Sequence, residues 1–248
     1  MGSSLIKYHQ TKIELQMRVT IIILTLVISN SLFSQGRSYM DYTFGGSFAI
    51  GDFSSQNINQ SDAGFATGGF ASCLTIGYQV KDEKFGLLAK VQSQSNFFKS
   101  DAYANGLANL VSNSNWSIYS TFYSTNSYLI GLSYHSAINS KVSINLHSMF
   151  GMMISESPEI RMYENTIPGW LLQLSDVSIS TGIELGGGLK SKINGRTSLQ
   201  INFDYLYTKP EFTDVPIYSS DGEVSWTTFT QPINTLNITV GVSYDVFR

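Results

Sequence analysis

The final stretch of the chain, residues 236–247, constrains the fold more than any other. It reads Leu-Asn-Ile-Thr-Val-Gly-Val-Ser-Tyr-Asp-Val-Phe, with Leu236, Ile238, Val240, Val242, Tyr244 and Val246 alternating with Asn237, Thr239, Gly241, Ser243 and Asp245. Successive side chains of a strand point to opposite faces, so this segment has one apolar and one polar face. Helical spacing produces no such pattern.

The alternation recurs along the chain. Apolar sets begin at Met40, Phe70, Phe85, Tyr128, Val142, Val177 and Leu199, and each interleaves with a polar set. The polar sets carry Asp41, Cys73, Lys90, His135, His147, Glu184, Lys190, Lys192 and Asp204. Connections at 54–64, 98–125, 155–176 and 211–231 are long. Those at 81–84, 139–140 and 194–195 are short, and Asn194-Gly195 is a strong hairpin signal. Pro158, Pro168, Pro210, Pro216 and Pro232 fall in loops or at strand ends, where no ladder donor is lost. Eight strands whose connections alternate long and short predict an all-β fold, an eight-stranded antiparallel up-and-down transmembrane β-barrel with long extracellular loops. Both termini then lie on the short-turn side, which predicts a multi-pass outer-membrane protein with periplasmic termini.

Eight strands also build soluble barrels, which put the apolar face inside around a ligand. Three features favour the membrane form. The apolar sets keep strict period over about 9–11 residues, enough to cross a bilayer at a tilt. They are filled with Leu, Ile, Val, Phe and Tyr, and aromatics such as Tyr78, Phe85, Tyr128, Tyr205, Tyr207 and Tyr244 gather near strand ends. Lysine parity agrees, because Lys90, Lys190 and Lys192 all fall on the polar set. A one-residue slip would turn each toward lipid at roughly 2–4 kcal/mol near the midplane. The lumen then holds both signs of charge, and an interior this narrow is filled by side chains. Gly182, Gly186 and Gly188 on the inner face leave room for larger neighbours. A polar network of Asp41, Lys90, His135, His147, Glu184, Lys190, Asp204 and Asp245 and a plugged lumen are the expectation.

Composition narrows the function. Charged residues are 13% of the 248, and the formal net charge of −3 comes with no basic block, which argues against a nucleic-acid partner. Cys73 is the only cysteine, so an internal disulfide and a multi-cysteine metal site are excluded. At the N-terminus, the apolar run 21–28 follows Lys12 and Arg18 and is too short to span a bilayer. It reads as a secretory signal cut near Ser34-Gln35, with an uncleaved anchor as the alternative. Residues 1–34 are therefore assigned to an N-terminal extension and signal peptide, with Met1 or Met17 as the start, and 35–248 to the barrel domain.

The leader ending in Ser34-Gln35, the opening Phe44-Gly45-Gly46-Ser47-Phe48 and the closing segment 240–247 resemble the small outer-membrane β-barrel proteins common in Bacteroidota, of OmpA- and OmpX-like architecture. The resemblance spans the mature chain and implies outer-membrane lipid and the barrel-assembly machinery as partners. The closing signal departs from the usual form. Phe247 has the parity opposite to the lipid face, so recognition by that machinery is expected to rest on Tyr244 and Val246.

Candidate chemistry is sparse. His135 and His147 face inward on adjacent strands and could join Glu184 in a metal or acid–base site, or belong to a lumen hydrogen-bond network. Outer-membrane lipid deacylases use a His-Ser pair on the lipid-facing wall, whereas His135-Ser136 and His147-Ser148 place histidine inward. No phosphate-binding loop, zinc-protease motif or nucleophile elbow is present. No catalytic residue, metal site or cofactor is assigned, and the chain is read as a non-enzyme. All three tryptophans, Trp116, Trp170 and Trp226, lie in the long loops, with Tyr103, Tyr119, Tyr163 and Tyr218. Trp116-Ser117-Ile118 and Val224-Ser225-Trp226 still alternate, which predicts hairpins continuing above the membrane. The expected function is a structural or surface-interaction role through these loops, by way of an extracellular ligand or protein. The alternative is a narrow porin-like channel for small solutes or ions, lined by Lys90, Lys190, Lys192, Glu184 and Asp204.

Overall fold

A computed structural model describes residues 36–80, 84–110, 114–166 and 169–247. The predicted leader 1–34, with Met1 and Met17, Lys81-Asp82-Glu83 of one short turn, Pro168 and Arg248 lie outside the described residues. The strands are β1 (Gly36–Ala49), β2 (Ala66–Val80), β3 (Phe85–Phe98), β4 (Trp116–Ser120), β5 (Phe122–Ala137), β6 (Val142–Glu156) and β7 (Ile160–Glu164). They continue with β8 (Gly169–Gln173), β9 (Val177–Lys192), β10 (Thr197–Thr208), β11 (Glu211–Ser219), β12 (Val224–Thr230) and β13 (Ile233–Phe247). Among the described residues one α-helix, α1 (Ser100–Leu110), follows β3.

Eight of the strands close a barrel in the order β1-β13-β10-β9-β6-β5-β3-β2. The first and last strands close it antiparallel, with Tyr42 opposite Val242 and Phe48 opposite Leu236. Because the side-chain period is two, this register commits every apolar set to one side. That side is the outside: Leu132 and Phe150 are each 61% exposed, whereas Ser127, Glu184, Asp204 and Asn237 are fully buried. A continuous apolar wall around a polar interior is incompatible with water and matches the lipid-facing band of outer-membrane barrels. The chain is an outer-membrane-type β-barrel.

The strands run 12 to 16 residues, beyond the periodic core of 9–11 expected from sequence. Inside, the barrel is packed. Tyr39, Leu88, Leu129, Met149, Met153 and Leu206 form a buried apolar cluster. Around it lie buried Gln92, Gln94, Asn96, Thr239 and the charged groups. At the long-loop end a 3-10 turn, Gly51–Ser54, drops Phe53 into a second cluster with Ala66, Tyr123 and Ile233, against Phe98. The ring of Phe53 meets Tyr123 edge-to-face at 5.0 Å. The mouth is thus stoppered by aromatic packing.

At the opposite end two described turns share one device. Asn139 Oδ1 accepts the N–H groups of Lys141 and Val142, both at 2.8 Å. Asn194 Oδ1 accepts those of Arg196 and Thr197, both at 2.9 Å. A side-chain carbonyl that replaces a backbone acceptor makes each reversal tight.

Above the barrel, the long connections build a second sheet, ordered β12-β11-β8-β7-β4. Hairpins continue there in the segments Trp116–Ser120 and Val224–Thr230. Helix α1 packs against β4. The helix has no counterpart in the sequence reading, which treats 98–125 as a connection.

Candidate functional site

The lumen gathers the charged residues into three groups. Lys90 on β3 reaches across to β9 and β10, where its Nζ donates to Glu184 Oε1 at 2.7 Å and Asp204 Oδ2 at 2.8 Å. His147 Nε2 lies 3.1 Å from Asp204 Oδ1 and 3.3 Å from Glu184 Oε1, within ionic contact but not aligned as a hydrogen bond. Gly186 makes this cluster possible, because a Cβ there would overlap Asp204 Oδ1 and His147 Nε2. In the second group Lys190 Nζ donates to Asp41 Oδ2 at 2.8 Å and to Ser243 Oγ at 3.2 Å, and sits 3.9 Å from the Tyr39 ring centroid. In the third, Arg37 Nε donates to Asp245 Oδ1 at 3.0 Å, tying the first strand to the last.

The two histidines part company. Ser133, not His135, stands opposite His147, so His135 is displaced by one pleat and pairs with Asn145. Its Nε2 is 3.1 Å from Tyr39 Oη, and the two rings meet edge-to-face at 5.6 Å. His135 therefore does not join Glu184, and only His147 does. His147, Glu184 and Asp204 hold potential ligand atoms within 4.8 Å of one another. The Lys90 ammonium already contacts both carboxylates and offsets one of their two charges, and His147 lies in ionic contact with both, so the arrangement is that of a salt-bridge network. Lys192 is exposed at the barrel base and takes no part in it. Tyr39 and Arg37 go unremarked in the sequence reading, although both share the parity of Asp41. Cys73 is buried with its Sγ 3.2 Å from Gln92 Oε1.

The second sheet presents a different chemistry. Cross-strand partners share a face, and the pairs Tyr119 with Arg161, Arg161 with Leu172, Leu172 with Tyr218 and Tyr218 with Val224 run as one row across all five strands. Tyr163 opposite Trp170 and Pro216 opposite Trp226 flank that row on the same face, and Pro216 thus lies inside β11, not in a loop or at a strand end as expected. This face is open: Tyr119 is 65% exposed and Trp226 63%. The reverse face carries buried Ile160 and Met162. Of the three tryptophans, Trp170 and Trp226 are on the open face. Trp116 has the opposite parity, and its indole N–H donates to Ser114 Oγ at 2.9 Å.

At the β4–β7 end of the open face lies a cavity of about 720 Å³. It is lined by Ser117, Tyr119, Thr121, Glu159, Arg161, Tyr163 and Asn165, with Ser120. Tyr119 and Tyr163 stand edge-to-face at 6.0 Å. Arg161 Nε donates to Glu159 Oε1 at 2.8 Å, Asn165 Nδ2 to Ser117 Oγ at 3.0 Å, and Thr121 Oγ1 accepts the Glu159 N–H at 2.8 Å. Sequence periodicity finds the tyrosines but not the cavity, which depends on β4 and β7 pairing across roughly 40 residues of chain.

No protein-family model matches the chain, and no curated protein matches it either. Among solved structures it is similar to a major outer membrane protein from Thermus thermophilus, at 11% identity and a TM-score of 0.49, over 85% of this chain and 98% of that one. It is also similar to the outer membrane protease OmpT from Escherichia coli, at 7% identity and a TM-score of 0.48, over 84% and 96%. Neisserial surface protein A is similar at 12% identity and a TM-score of 0.38, over 85% and 97%. The barrel assignment rests on the strand pairing and wall chemistry above.

Proposed function

We propose that this chain is a surface-interaction protein: a filled outer-membrane barrel that holds an extracellular five-stranded sheet whose open aromatic face meets a ligand outside the cell. In this reading the short turns and both termini lie in the periplasm, the leader is removed, and the barrel-assembly machinery reads the closing strand through Tyr244 and Val246. The chain has no enzymatic role, in keeping with both barrel histidines being turned into the lumen and engaged there. The observation that carries the reading is the contrast between the two ends of the molecule. The lumen charges are engaged with one another, Lys90 with Glu184 and Asp204 and Lys190 with Asp41, beside a buried apolar cluster, whereas Tyr119, Tyr163, Trp170 and Trp226 stand exposed on one face of a supported sheet. Exposed aromatics grouped on one face are the usual mark of a contact surface.

The competing reading, a narrow channel, is separated by single-channel recording of the refolded full chain in a planar bilayer. Protein shown to be folded and inserted should give no steady openings. Regular conductance steps would defeat the filled-lumen reading and make Lys90, Glu184, Asp204 and Lys190 the lining of a water path.

A further inference from the structure

We infer that the cavity between β4 and β7 is a binding site for a neutral glycan. This deepens the surface-interaction reading and rests on it. Three observations lead there. The first is size: about 720 Å³ falls within the range of small-molecule pockets, which spans roughly 300–1,000 Å³, in a shallow groove largely open to solvent, as an oligosaccharide chain would need. The second is the lining. Two tyrosine rings set at 80° to each other offer flat faces for the C–H surfaces of a sugar ring. Between and beside them stand short polar groups of both kinds, the Ser117 and Thr121 hydroxyls, the Asn165 amide and the Glu159 carboxylate. A pyranose presents the same mixture, apolar faces bounded by hydroxyls that both donate and accept.

The third observation is charge, and it selects a neutral sugar over an acidic one. The cavity's one cation and one anion are paired with each other at 2.8 Å. The long connections carry Glu156, Glu164, Asp176, Glu211, Asp214, Asp221 and Glu223 against Lys99, Arg161 and Lys209, but of these carboxylates only Glu164 stands on the two strands that line the cavity. A sulfated or phosphorylated ligand would find no unpaired cation in the cavity lining to offset its charge. Arg161 still has N–H donors beyond the Nε used on Glu159, since a guanidinium carries five. Held by Glu159, it is positioned to donate to a sugar hydroxyl.

The test uses the full chain refolded in a detergent without a sugar headgroup, with folding checked by heat-modifiable gel migration. Isothermal titration is run with maltohexaose, cellohexaose, chitohexaose and dextran sulfate. At least one neutral hexaose should bind, and binding should weaken about tenfold or more in Tyr163→Ala, in Tyr119→Ala and in Arg161→Met, while Glu223→Gln at the far hairpin leaves it unchanged. The cavity side chains are largely exposed, so these variants should keep the folded gel mobility. The inference is overturned if no neutral hexaose binds up to about 10 mM, if the cavity variants bind as the parent does, or if only dextran sulfate binds. Such a failure in a protein that remains non-conducting leaves the surface-interaction reading in place. Steady conductance would remove that reading whatever the titration shows.

Discussion

Replacing Lys90 with methionine should be among the most damaging single changes available in this barrel. The residue is only 5% exposed, and its ammonium donates to two fully buried carboxylates, Glu184 at 2.7 Å and Asp204 at 2.8 Å. Methionine preserves length and apolar stem but leaves both carboxylates with His147 alone. Removing one partner of a buried pair costs about 3–5 kcal/mol, because an uncompensated charge stays in a poorly solvated site. Net stabilities of folded domains are of order 5–15 kcal/mol, so this is roughly a fifth or more of the total. The assay is urea unfolding of vesicle-inserted protein followed by tryptophan fluorescence and gel mobility. Lys90→Met should shift the midpoint by that amount, and Lys192→Met, at the exposed base, should stay within about 0.5 kcal/mol of the parent. The triple change Lys90→Met, Glu184→Gln, Asp204→Asn should recover most of the loss, since it removes the orphaned charges together. Should Lys90→Met behave like the parent, or the triple variant be no more stable than the single one, the electrostatic account of the lumen is wrong.

Other consequences can be measured the same way. Gly186→Ala drives a methyl into the Asp204 and His147 contact and should cost about 1–3 kcal/mol, with a larger loss for valine. Ile183→Lys, on the lipid side of the strand that carries Glu184, should cost roughly 2–4 kcal/mol, and a negligible effect would move the lipid boundary. Phe53→Ala empties the aromatic stopper and should cost about 3–5 kcal/mol, read by the same titration, and limited proteolysis should show earlier cleavage near Gly51–Ser54.

Where the chain alternates, its sequence is readable. Leu236 through Val246 announces a strand, its faces and, through the parity of Lys90 and Lys190, which face is lipid. Periodicity is local, and the barrel strands are locally regular. What lies beyond its reach is long-range pairing. That the lumen charges must pair follows from burial, but nothing near Lys90 indicates Glu184 and Asp204, 94 and 114 residues away. His135 and His147 look equivalent by parity, and the β5–β6 register separates them. The helix Ser100–Leu110 is hidden because its Asn105 and Gly106 weaken helical propensity, and packing against β4 supplies what propensity does not. The cavity is invisible for the same reason, since its two tyrosines come from different loops.

The placement of the charged partners bears on how such a chain must be built. Asp41 on β1 waits for Lys190 on β9, Lys90 on β3 for Glu184 and Asp204, and Arg37 at the start of β1 for Asp245 near the end of β13. Each of these lumen ion pairs thus joins the first half of the polypeptide to the second. A nascent barrel holding only its early strands would carry Arg37, Asp41 and Lys90 without the partners that engage them in the closed barrel. Insertion strand by strand is therefore disfavoured, because the partners arrive late: β9 brings Glu184 and Lys190, β10 brings Asp204, and the closing strand β13 brings Asp245.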